Sequence, residues 1–123
     1  MESSTARMTR VCLQLQVKPE RIQEYKIAHA AVWPDMLEAL RDSGWHNYSI
    51  FLRPDGLLTL YFETPSLDQA LSRMAATEVN SRWAVAMNGL FLDQAGASPD
   101  TGFVHLVEIF NLEDQLAALP DNR

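Results

Sequence analysis

The hydrophobic period of this chain changes at Lys18-Pro19, and that switch constrains the fold more than any other feature. Upstream, Val11, Leu13, Leu15 and Val17 alternate with Cys12, Gln14 and Gln16, the two-residue period of a half-buried strand. Downstream, Ile22, Tyr25, His29, Val32, Trp33, Met36, Leu37 and Leu40 recur at steps of three and four, so the spacing predicts an amphipathic helix over Glu20–Asp42. Pro19 suits the first helical position and Glu20 the positive end of the helix dipole. Pro34 interrupts the pattern and predicts a kink or short break near Trp33, and Ser43-Gly44 closes it with a left-handed cap.

The period returns to two from Trp45 to Leu52. His46, Tyr48, Ile50 and Leu52 fall on one face, and Trp45, Asn47, Ser49 and Phe51 on the other. Arg53-Pro54-Asp55-Gly56 is a turn, because proline presets φ and glycine takes positive φ; Leu57–Glu63 is then the second arm of a hairpin. Ser66 with Gln69 makes a capping box for a helix to about Ala75, and a second helix runs from about Glu78 to Phe91. Asp93–Gly102 reads as a loop, Phe103–Phe110 as a last strand, and the tail after Glu113 as a turn of helix before Pro120. The order β-α-β-β-α-β, with the second helix split, predicts an α+β fold of the ferredoxin-like split βαβ type, a four-stranded antiparallel sheet with helices on one face. Both faces of the strands carry apolar residues (Leu13 and Cys12, Ile50 and Phe51). A homodimer is therefore expected, two sheets stacking into a dimeric α/β barrel, with the ligand site between sheet and helices.

Composition narrows the function. The 123 residues make one domain, taken as residues 10–113, with a Ser/Thr-rich, frayed extension over 1–9 and a tail over 114–123. A net charge of −6 disfavours nucleic acid and anionic membranes as partners. No apolar run is long enough to span a bilayer, Met1–Thr9 has no signal-like apolar stretch, and Cys12 is alone, so a cytoplasmic address is expected. The five glycines form no phosphate loop. His29, His46 and His105 lie on three different elements with no ligand spacing, so neither metal nor cofactor is expected.

Tyr25 and His29 are the most suggestive pair. Four residues apart on a helix, they share a face and offer a phenol and an imidazole, a hydrogen-bond donor and a proton shuttle near neutral pH. The same pair on the inner edge of a helix also suits plain packing. Trp33, Trp45 and Trp83 are flat apolar walls for a sugar ring or core wedges. Asn47 and Tyr48, beside His46, line a pocket mouth or a solvated strand edge, and His105 reads as structural.

Tyr25-x-x-x-His29, Val32-Trp33-Pro34-Asp35-Met36-Leu37, His46-Asn47-Tyr48-Ser49-Ile50, Thr77-Glu78-Val79, Arg82-Trp83, Met87 and Val107-Glu108-Ile109-Phe110 occur in an order that resembles the L-rhamnose mutarotases. The resemblance runs from about Arg10 to Leu112 and implies a dimeric ferredoxin-like enzyme. Such an enzyme interconverts the α and β anomers of a 6-deoxy-L-hexose, L-rhamnose first and L-fucose second, without a cofactor. It implies His29 and Tyr25 as the catalytic pair and Trp83, Trp33, Tyr48 and Asn47 as substrate-binding residues. The chain departs from the family pattern at Ala84, where a second tryptophan commonly follows Trp83, and at Gly96-Ala97-Ser98-Pro99-Asp100, where an Asn-Pro-Asp-Asn-Ser-Pro loop is usual. A cofactor-free monooxygenase and a non-catalytic sugar-binding module are the alternatives on this fold.

Overall fold

A computed structural model describes residues 8–92 and 103–120. The loop expected over 93–102, most of the N-terminal extension and the last three residues lie outside these described residues. Strand β1 (Thr9–Gln16) starts the order, and a 3₁₀ turn (Pro19–Arg21) leads into α1 (Ile22–Ala30) and then α2 (Pro34–Asp42). The hairpin β2 (His46–Leu52) and β3 (Leu57–Thr64) follows, then α3 (Leu67–Ala75), α4 (Glu78–Ala86), β4 (Val104–Leu106) and α5 (Leu112–Ala117). The four strands form one antiparallel sheet in the order β2-β3-β1-β4, with β1 and β3 paired from Thr9↔Thr64 to Gln16↔Leu57.

Alternation decides which face meets the helices. Val11, Leu13, Leu15 and Val17 of the first segment and Leu58, Leu60 and Phe62 of β3 are buried, while Cys12, Gln14, Gln16, Thr59 and Tyr61 point the other way. The buried set packs with Tyr25, Ala70, Met87 and Leu90 into one core, and Met36, Met74 and Val79 make a second between the helices. The Arg53–Gly56 turn locks the hairpin to β1. The Gly56 carbonyl accepts from the Val17 N–H at 2.8 Å, and Gly56 itself sits at φ +96° with its α-carbon against the Val17 carbonyl.

The break expected near Trp33 is present, because the residue before a proline is driven out of the helical region: Trp33 has φ −55° and ψ 136°, and Pro34 starts α2 afresh. Three other local expectations change. The helix expected to reach Phe91 ends at Ala86. Gly89 turns the chain at φ +86°, and the Leu90 carbonyl and Leu92 N–H then bond to Lys18 and Gln16 at the end of β1. The last strand covers three residues rather than eight. Beyond Leu106 the ladder stops, and the Arg10 guanidinium holds Glu108 and Asp114 through side chains instead. Finally, Trp45 lies on the Tyr48 face rather than opposite it. Asn47 adopts φ +51° and the register shifts between His46 and Ser49, a bulge that turns Trp45 inward to stack on Phe62 at 4.0 Å. Ser66 caps α3 as its spacing predicts, accepting from the Gln69 N–H at 3.2 Å.

Candidate active site

The two cores are separated by a cavity of about 410 Å³ between the inner sheet face and helices α1–α4. Its sheet side is built by Leu15, Ile50, Leu60 and Tyr48, and its helix side by Tyr25 and His29 of α1, by Asn80, Trp83 and Ala84 of α4 and by Met87 at the C-cap of α4. These last four follow the steps three, four and seven from Asn80, so one face of α4 lines the space. The spacing that marks Trp83 therefore also marks Asn80, a residue sequence reasoning passes over.

The imidazole of His29 is held on three sides. It stacks on the Tyr25 ring at 4.0 Å and 26°, and meets the edge of Trp83 at 5.2 Å and 90°. Its Nδ1 lies 2.9 Å from the Tyr25 carbonyl oxygen. A carbonyl can only accept, so Nδ1 carries the proton, and the neutral ring keeps its lone pair on Nε2. Burial lowers the pKa of His29, and the carbonyl bond opposes this only partly. The ring is neutral at pH 7, a proton acceptor at Nε2.

Tyr25 is 6% exposed, and burial raises its phenol pKa. Tyr48 is raised by the same cause and by the charge that an ionised Tyr25 would carry, so the two phenols share one electrostatic environment. Both remain protonated. Among the described residues, neither hydroxyl has a hydrogen-bond partner. A buried hydroxyl left unpaired costs about 1–3 kcal/mol, so the cavity carries two polar groups that call for a partner from within it, water or a polar ligand.

Of the residues singled out in the sequence, the fold brings Tyr25, His29, Trp45, Tyr48 and Trp83 to this cavity. Trp33 stands behind it, edge-on to Trp83 at 5.1 Å, with the Arg82 guanidinium 5.4 Å above its ring and paired to Asp35 at 2.7 Å. Asn47 is on the opposite sheet face, where its amide donates to Glu63 Oε2 at 3.2 Å beside the Tyr61 hydroxyl at 2.7 Å. The same bulge that turns Trp45 in places Asn47 out. His105 is exposed on β4, across from Leu13. Among the described residues no group of three His, Cys, Asp or Glu side chains is arranged to hold a metal, and no helix is long and apolar enough to cross a membrane.

Comparison with known proteins points to one family. The family model described as L-rhamnose mutarotase matches residues 10–112. An L-rhamnose mutarotase of Bacillus subtilis is 38% identical over 98 residues, spanning 79% of this chain and 91% of that protein. One from Tolumonas auensis is 33% identical over 106 residues, spanning 85% and 99%. The crystal structure of an L-rhamnose mutarotase from Formosa agariphila superposes with a TM-score of 0.68 at 24% identity, over 85% of this chain and 98% of that one, which speaks to the fold.

Proposed function

The chain belongs to the L-rhamnose mutarotase family, and on that premise we propose that it interconverts the α and β anomers of a 6-deoxy-L-hexose without a cofactor. L-rhamnose is the first substrate and L-fucose the second. The observation that carries the reading is the pairing of one neutral imidazole, its tautomer set by the Tyr25 carbonyl, with two unpaired phenols in an apolar cavity. Apolar walls suit the C6 methyl and the C–H face of the sugar, and Trp83 supplies a flat surface for stacking.

The reaction needs little more. His29 Nε2 takes the proton of the anomeric hydroxyl while the C1–ring-oxygen bond breaks. The ring oxygen receives that proton from the imidazolium, because both oxygens are borne on the same carbon and lie within reach of one nitrogen. Rotation about C1–C2 presents the other face of the aldehyde, and the steps reverse. Tyr25 and Tyr48, held protonated by burial, donate to sugar oxygens and fix the ring against His29. Trp33, braced by Arg82, backs the wall that Trp83 presents.

Proton saturation transfer between the α and β anomeric signals of L-rhamnose, then of L-fucose, tests this. The wild-type protein raises the exchange rate above that of buffer, and His29→Asn lowers the catalysed rate by about 10²–10⁴-fold. Exchange at the buffer rate with the wild-type protein overturns the reading and leaves a module that only binds.

The β2-β3-β1-β4 order supports a ferredoxin-like split βαβ description, carried by residues 10–113. The outer sheet face supports a homodimer: Phe51 on it and Val107 and Ile109 beside it are exposed, the last two to 84% and 92%. A second copy stacked there completes an α/β barrel. A cytoplasmic address goes with this reading, Cys12 remaining a reduced, half-buried thiol.

A further inference from the structure

The cavity is chemically lopsided. Tyr25, His29 and Tyr48 all belong to the side formed by the sheet core and α1. The far side, between α2, α3 and α4, is walled by Val32, Met36, Leu40, Leu71 and Met74, with Asn80 of α4, which already has an interaction of its own, as its polar residue. Trp45 and Trp83 touch both cores and form the waist between the two halves. Ala84 adds only a methyl to the wall beside Trp83.

Size makes this second half hard to assign to a bare sugar. A deoxyhexose fills roughly half of the 410 Å³ at the packing density of protein interiors. Its single methyl cannot cover five apolar side chains. Its hydroxyls are drawn to the phenols and imidazole, because a hydroxyl placed in the far half meets Val32, Met36, Leu40, Leu71 and Met74 and only Asn80, which already has an interaction of its own. Two methionines in that wall adapt to the shape of what enters.

We propose that the apolar half is a subsite for a substituent, and that the preferred substrate is a 6-deoxy-L-hexose with one ring hydroxyl, away from C1, capped by a small alkyl group. The anomeric hydroxyl stays free at His29, the remaining hydroxyls meet Tyr25 and Tyr48, and the alkyl group crosses the Trp45–Trp83 waist. This inference rests on the mutarotase reading and narrows its substrate.

The test compares L-rhamnose with its 2-O-, 3-O- and 4-O-methyl ethers on the wild-type protein, by anomeric saturation transfer and by titration of tryptophan fluorescence. One added methyl buried in the subsite tightens binding about fourfold. At least one ether is expected to show a KM lower than L-rhamnose by that factor or more, with a matching fall in the fluorescence Kd. Leu71→Phe, at a half-buried position, is expected to reduce the preference for that ether over L-rhamnose. L-rhamnose bound and exchanged better than all three ethers overturns the subsite and leaves the mutarotase standing. An ether bound more tightly than L-rhamnose, with neither sugar exchanged faster than in buffer, keeps the subsite and overturns the catalytic reading.

Discussion

The chemistry of the site rests on where one proton sits. His29 presents Nε2 as a base because the Tyr25 carbonyl, one helical turn earlier, occupies Nδ1–H. Burial lowers the pKa of His29, so its basic form persists below the usual histidine range. The acid limb of kcat/KM is therefore expected below about 6.5, the ordinary histidine value. A limb at or above that value contradicts the buried, neutral imidazole. The sign for folding is the same: the unfolded chain binds the proton more readily, so the contribution of His29 to stability is complete above about 6.5 and falls as pH drops through the folded pKa. The two phenols make an opposite pair of predictions. Tyr25→Phe and Tyr48→Phe each remove a buried hydroxyl without a partner, so each should hold or raise the melting temperature of the ligand-free protein. Each should also raise KM about tenfold, since a lost hydrogen bond to the sugar costs about 1–1.5 kcal/mol. A large loss of stability would mean that the hydroxyls are already satisfied in the free protein. Tyr25 and His29 were legible in the sequence because a helix puts residues four apart on one face. Asn47 and Trp45 were not, because strict alternation takes no account of the bulge at Asn47 that turns one in and the other out.

At the scale of elements, spacing read what alternation and capping control and missed where tertiary contacts end an element. Strand β1, the hairpin turn and the Ser66 cap follow from residue types alone. The early end of α4 depends on Gly89 and on the end of β1 bonding to residues 90 and 92, a long-range contact no local window contains. The short β4 has a similar cause, since after Leu106 the segment is held by the Arg10 side chain while Val107, Ile109 and Phe110 stay exposed. Glycine substitutions separate local from tertiary demands. A β-carbon at Gly56 would lie 2.4 Å from the Val17 carbonyl oxygen, whereas one at Gly44 meets only ordinary contacts, the nearest at 3.5 Å. Both residues have positive φ, which costs alanine about 1 kcal/mol at either position. Gly56→Ala should then cost more than Gly44→Ala by about 1–3 kcal/mol, because the turn must also part from β1. Chemical denaturation of both variants reads the difference, and equal losses would show that the turn yields without disturbing β1.

The whole molecule has one face finished and one unfinished. Helices α1–α4 cover the inner side of the sheet and enclose the cavity. On the outer side, Phe51 is exposed beside the Tyr61–Glu63–Asn47 hydrogen bonds, and the Arg10 clasp on Glu108 and Asp114 holds a C-terminal segment whose Val107, Ile109 and Phe110 are exposed. A single copy leaves this surface in water, and two copies stacked through their sheets remove it. Exposed apolar surface gains about 25 cal/mol per Å² on burial, so a standard interface of about 800 Å² per partner offers ample drive even after the cost of association. Light scattering behind size exclusion at micromolar concentration should give twice the 13.9 kDa of one chain. Phe51→Lys and Ile109→Lys change only exposed positions, so both variants should fold with unchanged circular dichroism. If the outer face is the seam, each should shift the protein toward the single-chain mass. A wild-type protein that runs as one chain would refute the dimer. A dimer insensitive to Phe51→Lys and Ile109→Lys would place the seam elsewhere. Because the cavity opens on the other side of the sheet, its His29 chemistry and its apolar half are built within one chain. Monomeric Phe51→Lys protein should therefore keep measurable anomer exchange, and complete loss on dissociation would show that the partner steadies the sheet on which Tyr48 is mounted.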